Sequence, residues 1–292
     1  MKRQFDRRGD LSAAEFFYGE IATRMFERLK LIRLQPDTVL DAGCGAGRRL
    51  ATLRERYPNA KLIALDHNEA LLAMAKQALK GSTASRPSWR KLFNSLTRKQ
   101  AIEWVHAELD DTGLTPESID LIWSNLALHW HPEPHNVLRE WSRLLRPNGL
   151  AFFTVWGPAT GRELRDAVSA AGLRTATLPF VDMHDFGDLM IEQGFADPVM
   201  DQETITLTYN SATDLLADAR ALGGNPNPER KASLASRAWH KRLIDALEAT
   251  RQGGKLKLTL EVAYGHAWRA AIRRQAGETR ISLQAIGRKS AD

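Results

Sequence analysis

Seven residues, Asp41-Ala42-Gly43-Cys44-Gly45-Ala46-Gly47, place an acid and three glycines directly behind the apolar pair Val39-Leu40. Glycine has no Cβ, so the turn can be tight and its backbone can lie against a ligand. A helix starting near Arg48 turns its unpaired N–H groups and the positive end of its dipole to the same point. Asp41 puts an acceptor where a strand core would take an apolar residue. About twenty residues further on, a second apolar run, Leu62-Ile63-Ala64-Leu65, ends in Asp66, whose carboxylate can accept from both hydroxyls of a ribose. Glu108, with Asp110 as second choice, follows a third apolar run, where an acid can accept from an adenine amino group. Asn125, His129 and Trp130 follow a fourth, at the mouth of the same cleft. His129 is a candidate base or a packed, hydrogen-bonded residue, and the second reading is favoured. Cys44 reads as a small packing residue beside the ligand.

The elements that must position these groups follow from periodicity. Helices are expected over 13–33, 48–57, 68–79 with Asn68 as N-cap, 134–145, 161–172, 184–194, 212–222 and 229–249. Strands are expected at 39–42, 62–66, 102–106, 119–123, 150–155, 203–209 and 256–264, with a turn at 146–149. The fold class is α/β: a doubly wound, seven-stranded, mainly parallel sheet with helical decorations. Residues 1–35 read as a helical cap on the cleft, 36–269 as the main domain and 270–292 as a loose basic tail. Phe16, Phe17 and Tyr18 are candidates to close the cleft, with packing favoured for at least two of them.

At 292 residues the chain can bury a sizeable core. A single cysteine excludes an internal disulfide framework and fits a reducing compartment. No apolar run reaches the roughly 20 residues of a membrane span, and the first residues lack the apolar core of a secretory signal, so a cytoplasmic location is expected. The net charge of +6 favours an acidic partner or a nucleic acid. Residues 81–101 carry Arg86, Arg90, Lys91, Arg98 and Lys99 with Trp89 and Phe93 between them and no acid. They read as a solvated insertion or as a basic docking patch. No metal is expected.

The Asp-Ala-Gly-Cys-Gly-Ala-Gly string resembles motif I of the class I S-adenosylmethionine (SAM)-dependent methyltransferases, a Rossmann-like fold. The resemblance implies SAM as cofactor, its amino-acid end on the turn (Asp41, Gly43, Cys44, Gly45, Gly47) and its ribose on Asp66. His67, Glu108, Leu109 and Asn125 complete the implied cofactor set. It also implies an antiparallel last strand. Further stretches resemble one family within this fold, the malonyl-[acyl-carrier protein] O-methyltransferases of biotin synthesis. They are Phe5-Asp6-Arg7, the helix 16–29, Ser118 to Trp130, Leu145 to Gly149, Gly161 to Leu164 and Thr259 to Trp268. The Trp-Ser-Asn-Leu-Ala-Leu-His-Trp string is the most specific. The family pattern has a tyrosine a few residues after its F-x-R start, where this chain has Ser12. Pro179 to Phe186, Ala221 to Asn225 and the Asn-Leu-Ala-Leu-His-Trp segment are also similar to the mitochondrial complex I assembly factor of this fold, associated with arginine hydroxylation.

The first resemblance implies esterification of the free carboxylate of a malonyl thioester. That carboxylate is ionised at neutral pH and is already a nucleophile, so alignment and exclusion of water carry the catalysis. An arginine or an amide would hold it, and Arg7, Arg8, Asn125 and His129 are the candidates. The implied partner is an acidic acyl-carrier protein, matched by the basic stretches 86–99 and 230–242. A monomer that binds no membrane and no nucleic acid is expected. The Asn/Asp-Pro-Pro-Tyr tetrapeptide of amino-methylating nucleic-acid enzymes is absent. A small-molecule methyltransferase, and a SAM-binding assembly factor or hydroxylase, are the competing readings.

Overall fold

The computed structural model describes residues 11–84, 101–173, 179–223, 227 and 236–271. Arg7 and Arg8, the basic stretch from 86 to 99, residues 230–235 and the tail from 272 lie outside the described residues.

Strands buried on both faces read as unbroken apolar runs. Accordingly β1 (Thr38–Ala42) is buried throughout, and β2 (Lys61–Asp66) is buried after its first residue. The two pair in parallel, with Asp41 beside Ala64. β3 (Glu103–His106) joins β2, β4 (Ile119–Asn125) joins β1 and β5 (Leu145–Trp156) joins β4, all in parallel. β7 (Leu256–Arg269) runs antiparallel between β5 and β6 (Phe195–Tyr209), giving the order β3-β2-β1-β4-β5-β7-β6. This is the seven-stranded, mainly parallel sheet expected, with the last strand reversed. The chain winds outward from β1 through β2 to β3, then returns to β4 on the other side. The switch between β1 and β4 opens a crevice at their carboxyl ends.

Helices cover both faces: α1 (Glu15–Leu29), α2 (Leu50–Arg56), α3 (Glu69–Ala84), α4 (Pro134–Leu144), α5 (Arg162–Ala170), α6 (Met183–Glu192), α7 (Ala212–Ala221) and α8 (Arg237–Ala249). Alternate strand residues feed two cores. On one side Trp123 stacks between Phe26 and Phe152; on the other Trp141 meets Phe153, which also meets Phe186.

Several elements differ in length from their sequence expectation. α1 stops at Leu29, beyond which the Leu31 and Ile32 amides tighten onto the carbonyls three residues back; the Leu29 carbonyl accepts from Ile32 at 3.2 Å and from Arg56 Nη2 at 2.9 Å. α2 begins at Leu50, since turns occupy 46–49. α3 continues through Gly81 to Ala84, where a loop was expected. The 146–149 turn is a bulge within β5: Leu145 pairs with Ile119, Leu150 with Leu121, and Asn148 takes a left-handed φ of 64° between them. β6 begins at Phe195 because a register shift between Ala196 and Val199 absorbs Pro198, which cannot donate to a ladder. β7 extends to Arg269 because it pairs with β5 up to Trp268 and with β6 up to Arg269. The described part of the last helix starts at Arg237.

Candidate functional site

The glycine turn continues the β1–β2 ladder into the crevice. The amides of Gly43 and Cys44 both donate to the Leu65 carbonyl, at 2.8 and 2.9 Å. Gly43 has a φ of 80°, and a Cβ there would lie 2.4 Å from the Ala127 Cβ, so the position admits only glycine. A Cβ on Gly45, by contrast, would meet no atom within 4 Å, leaving a backbone cradle open to the cavity. The Gly45 amide donates to Asp66 Oδ2 at 2.8 Å and the Asn68 amide to Asp66 Oδ1 at 2.9 Å. Each Asp66 oxygen keeps a further lone pair. Asn68 also caps α3, its Oδ1 accepting from the Leu71 amide at 3.0 Å.

Around this turn lies a cavity of about 330 Å³. Asp41, Gly43, Cys44, Gly45, Asp66, His67, Glu108, Leu109 and Asn125 all line it. Of the cofactor set read from the sequence only Gly47 does not. Its Cβ would stand 2.7 Å from the Ala75 Cβ, so Gly47 serves the packing of α3 against the turn. Burial, reinforced by Asp66, pushes the Asp41 carboxyl up to about 8. Burial also raises Asp66, but the Asn68 and Gly45 amides and His67 oppose it. Burial pushes the Cys44 thiol up, so it is a poor nucleophile here. The structure therefore supplies an open backbone cradle, a buried acid above it and a second acid at the end of the neighbouring strand. A nucleoside carrying an amino-acid tail fits these groups.

The residues expected to hold an acceptor behave differently. Asn125 lines the cavity, but both ends of its amide are used within the fold. Nδ2 donates to the Tyr18 carbonyl at 3.0 Å, and Oδ1 accepts from Thr154 Oγ1 at 3.0 Å. Asn125 thus ties α1 to β4 and β5. His129 is 7% exposed and does not line the cavity. Its Nδ1 accepts from the Trp156 amide at 3.4 Å, and its ring lies among Trp130, Trp156 and Phe180. A base needs that lone pair free, so the packed reading describes His129. Tyr18 lines the cavity, Phe17 is buried, and Phe16 is exposed.

Four titratable lining residues had not been singled out: Glu15, Arg48, Arg49 and His131. His131 Nε2 lies 3.3 Å from Asp110 Oδ2. Arg49 Nη2 donates to Glu15 Oε1, and Arg48 Nε stands 3.5 Å from Glu15 Oε2. The signal available for the arginines was their place directly behind the last glycine. Nothing in the sequence tied them to Glu15, 33 and 34 residues away.

Comparison with known proteins adds the chemistry. Residues 40–153 match the family model described as a methyltransferase domain. The malonyl-[acyl-carrier protein] O-methyltransferase of Nitrosospira multiformis is 38% identical over 278 residues, covering 94% of this chain and 89% of its own. The protein of the same name from Laribacter hongkongensis is 39% identical over 275 residues, covering 94% and 90%. Among solved structures, the YcgJ protein of Bacillus subtilis superposes with a TM-score of 0.57 at 14% identity, over 86% of this chain and 99% of its own. A Haemonchus contortus phosphoethanolamine N-methyltransferase, solved with S-adenosyl-L-methionine, does so at 0.53 and 13%, over 89% and 57%.

Proposed function

The chain belongs to the malonyl-[acyl-carrier protein] O-methyltransferase family of SAM-dependent enzymes, and from that premise we propose that it esterifies the free carboxylate of malonyl-acyl-carrier protein in the early pimeloyl steps of biotin synthesis. The observation that carries the cofactor side is the cradle of Gly43 to Gly45 clamped onto Leu65 and Asp66. Asp41, Gly43, Cys44 and Gly45 would hold the amino-acid end of SAM. Asp66 would hold the ribose with its remaining lone pairs, with His67 beside it. Glu108 and Leu109 would border the adenine. When bound, SAM supplies a methyl group activated as a sulfonium.

The acceptor carboxylate attacks without prior deprotonation, so this chain needs no base, consistent with a packed His129. Its work is alignment and the exclusion of water. Tyr18, Trp123, Leu126 and Trp130 supply apolar surface to the cavity wall. The ester removes a charge from the growing chain, letting it pass through apolar fatty-acid sites. An acidic carrier protein meets a chain of net charge +6, and we take the working form to be a monomer that binds neither membrane nor nucleic acid. Among the described residues no helix is long and apolar enough to cross a membrane.

The test is methyl transfer from labelled SAM to malonyl-acyl-carrier protein, with malonyl-coenzyme A and unloaded carrier protein as controls. Transfer to the loaded carrier alone is the expected result. No transfer by a preparation that binds S-adenosylhomocysteine in calorimetry would overturn the reading.

A further inference from the structure

An acceptor carboxylate needs a positively charged or amide receptor inside the cavity, and neither Asn125 nor His129 offers one. The charged groups of the wall are unevenly placed. Asp41, Asp66 and Glu108 belong to the strand ends that face the cofactor. Arg48 and Arg49 leave the glycine turn toward α1. Both arginines converge on one acid, Glu15, at the first residue of α1.

Arg49 is the more enclosed of the two, with its side chain 23% exposed against 38% for Arg48. Among the described residues its side chain makes one hydrogen bond, from Nη2 to Glu15, and the guanidinium carries five N–H donors in a planar fork. α1 also leaves room for it. A Cβ on Gly19 would stand 2.9 Å from Arg49 Nη2. A glycine inside a helix is destabilising relative to alanine, and here it makes space for that charged group.

We propose that Arg49 receives the free carboxylate of the acceptor, and that Glu15 is a placeholder which the acceptor displaces and which recaptures Arg49 once the ester has formed. This rests on the esterification reading above. In the reaction one carboxylate oxygen forms a bond to the methyl carbon as the carbon–sulfur bond breaks. The electron pair of that bond stays on sulfur, giving a neutral thioether, and no proton moves. The acceptor thereby loses its negative charge. A neutral ester cannot compete with Glu15 for the guanidinium, so the ion pair re-forms and the product is released.

The experiment is steady-state transfer by the full chain to malonyl-acyl-carrier protein at saturating SAM, with S-adenosylhomocysteine binding measured in parallel by calorimetry. Arg49→Gln is expected to raise the acceptor KM roughly tenfold or more, the scale of a lost charged hydrogen bond, with S-adenosylhomocysteine affinity unchanged. Arg49→Lys is expected to fall between, keeping the charge and losing the fork. Glu15→Gln is expected to lower the acceptor KM and to strengthen inhibition by the methyl-ester product. Gly19→Ala, which adds helix propensity, is expected to raise the acceptor KM by pushing the guanidinium aside. Weakened S-adenosylhomocysteine binding in Arg49→Gln would assign the arginine to the carboxylate of the cofactor and overturn the proposal. So would an unchanged acceptor KM in both arginine variants while the parent chain transfers normally. No transfer by the parent chain overturns the esterification reading, and this inference with it.

Discussion

Asp41 and Asp66, at the ends of neighbouring strands, are both raised by burial but are opposed to different degrees. Asp66 accepts two backbone N–H bonds, which favour its charged form against burial. Asp41 lies 4% exposed, and desolvation followed by the neighbouring Asp66 charge lifts it to about 8. A carboxyl whose folded-state pKa lies above its unfolded value, about 3.9, binds its proton more tightly in the native state. Its contribution to stability is complete below the unfolded value and is lost as pH rises through the folded one. The ligand-free protein should therefore lose stability between about pH 4 and 8 from this residue. Asp41→Asn, neutral throughout, should flatten the dependence of Tm on pH across that window. Parallel Tm profiles for parent and variant would show that the Asp41 proton is not responsible.

Among the elements, the glycine turn and α1 divide the work. The turn is rigid because it is an extension of the sheet, two of its amides binding the Leu65 carbonyl. Gly43→Ala combines a φ of 80° with a 2.4 Å approach to Ala127. It should weaken S-adenosylhomocysteine binding by tenfold or more by calorimetry, about 1.4 kcal/mol, because the cradle must move to admit the methyl group. α1 is held first by its buried face, Phe17, Ile21, Ala22, Met25 and Leu29, and then by polar contacts at both ends. Asn125 and the bond from the Tyr18 hydroxyl to the Leu222 carbonyl (3.1 Å) secure its first turn. Arg24 to Glu203 and Arg28 to Asp201, both at 2.8 Å, secure its far end, and Arg28 also lies 3.7 Å over the Tyr264 ring. Partly exposed ion pairs contribute about 0–1 kcal/mol each. The helix that carries Glu15 is thus anchored beside the cavity mainly by its apolar face, with the polar contacts adding little.

In the whole molecule, β7 closes the sheet by joining β5 to β6. Gly265 stands where the two ladders meet. A Cβ there would lie 2.4 Å from the Phe153 ring and 2.8 Å from Met200 Sδ. Overpacking of this kind costs about 1–3 kcal/mol. Gly265→Ala should lower Tm by roughly 2–4 °C for each kcal/mol in a chain of this size. S-adenosylhomocysteine affinity should stay unchanged, because the seam lies beyond the strands that carry the turn. An affinity loss with an unaltered Tm would contradict this separation of frame and site.

The sequence by itself determined the sheet, the turn and the residues that line the cavity around that turn. These are local: a strand, three glycines and an acid fix their own backbone, and Asp66 follows one helix later at the end of the next strand. The longer strands were legible only in part, since Pro198 and the 146–149 turn hide bulges that only partner strands reveal. The wall formed by Arg49 and Glu15 was decided by tertiary structure alone. His129, for which the sequence favours packing over chemistry, is packed among aromatic rings within the short helical turn Leu128–Trp130. Arg49 looked like the start of a helix and lines the cavity, because α1 lies across the turn and brings Glu15 to it. A charge–charge contact between residues 34 positions apart leaves no periodic trace, and only the packing of α1 onto the sheet creates it.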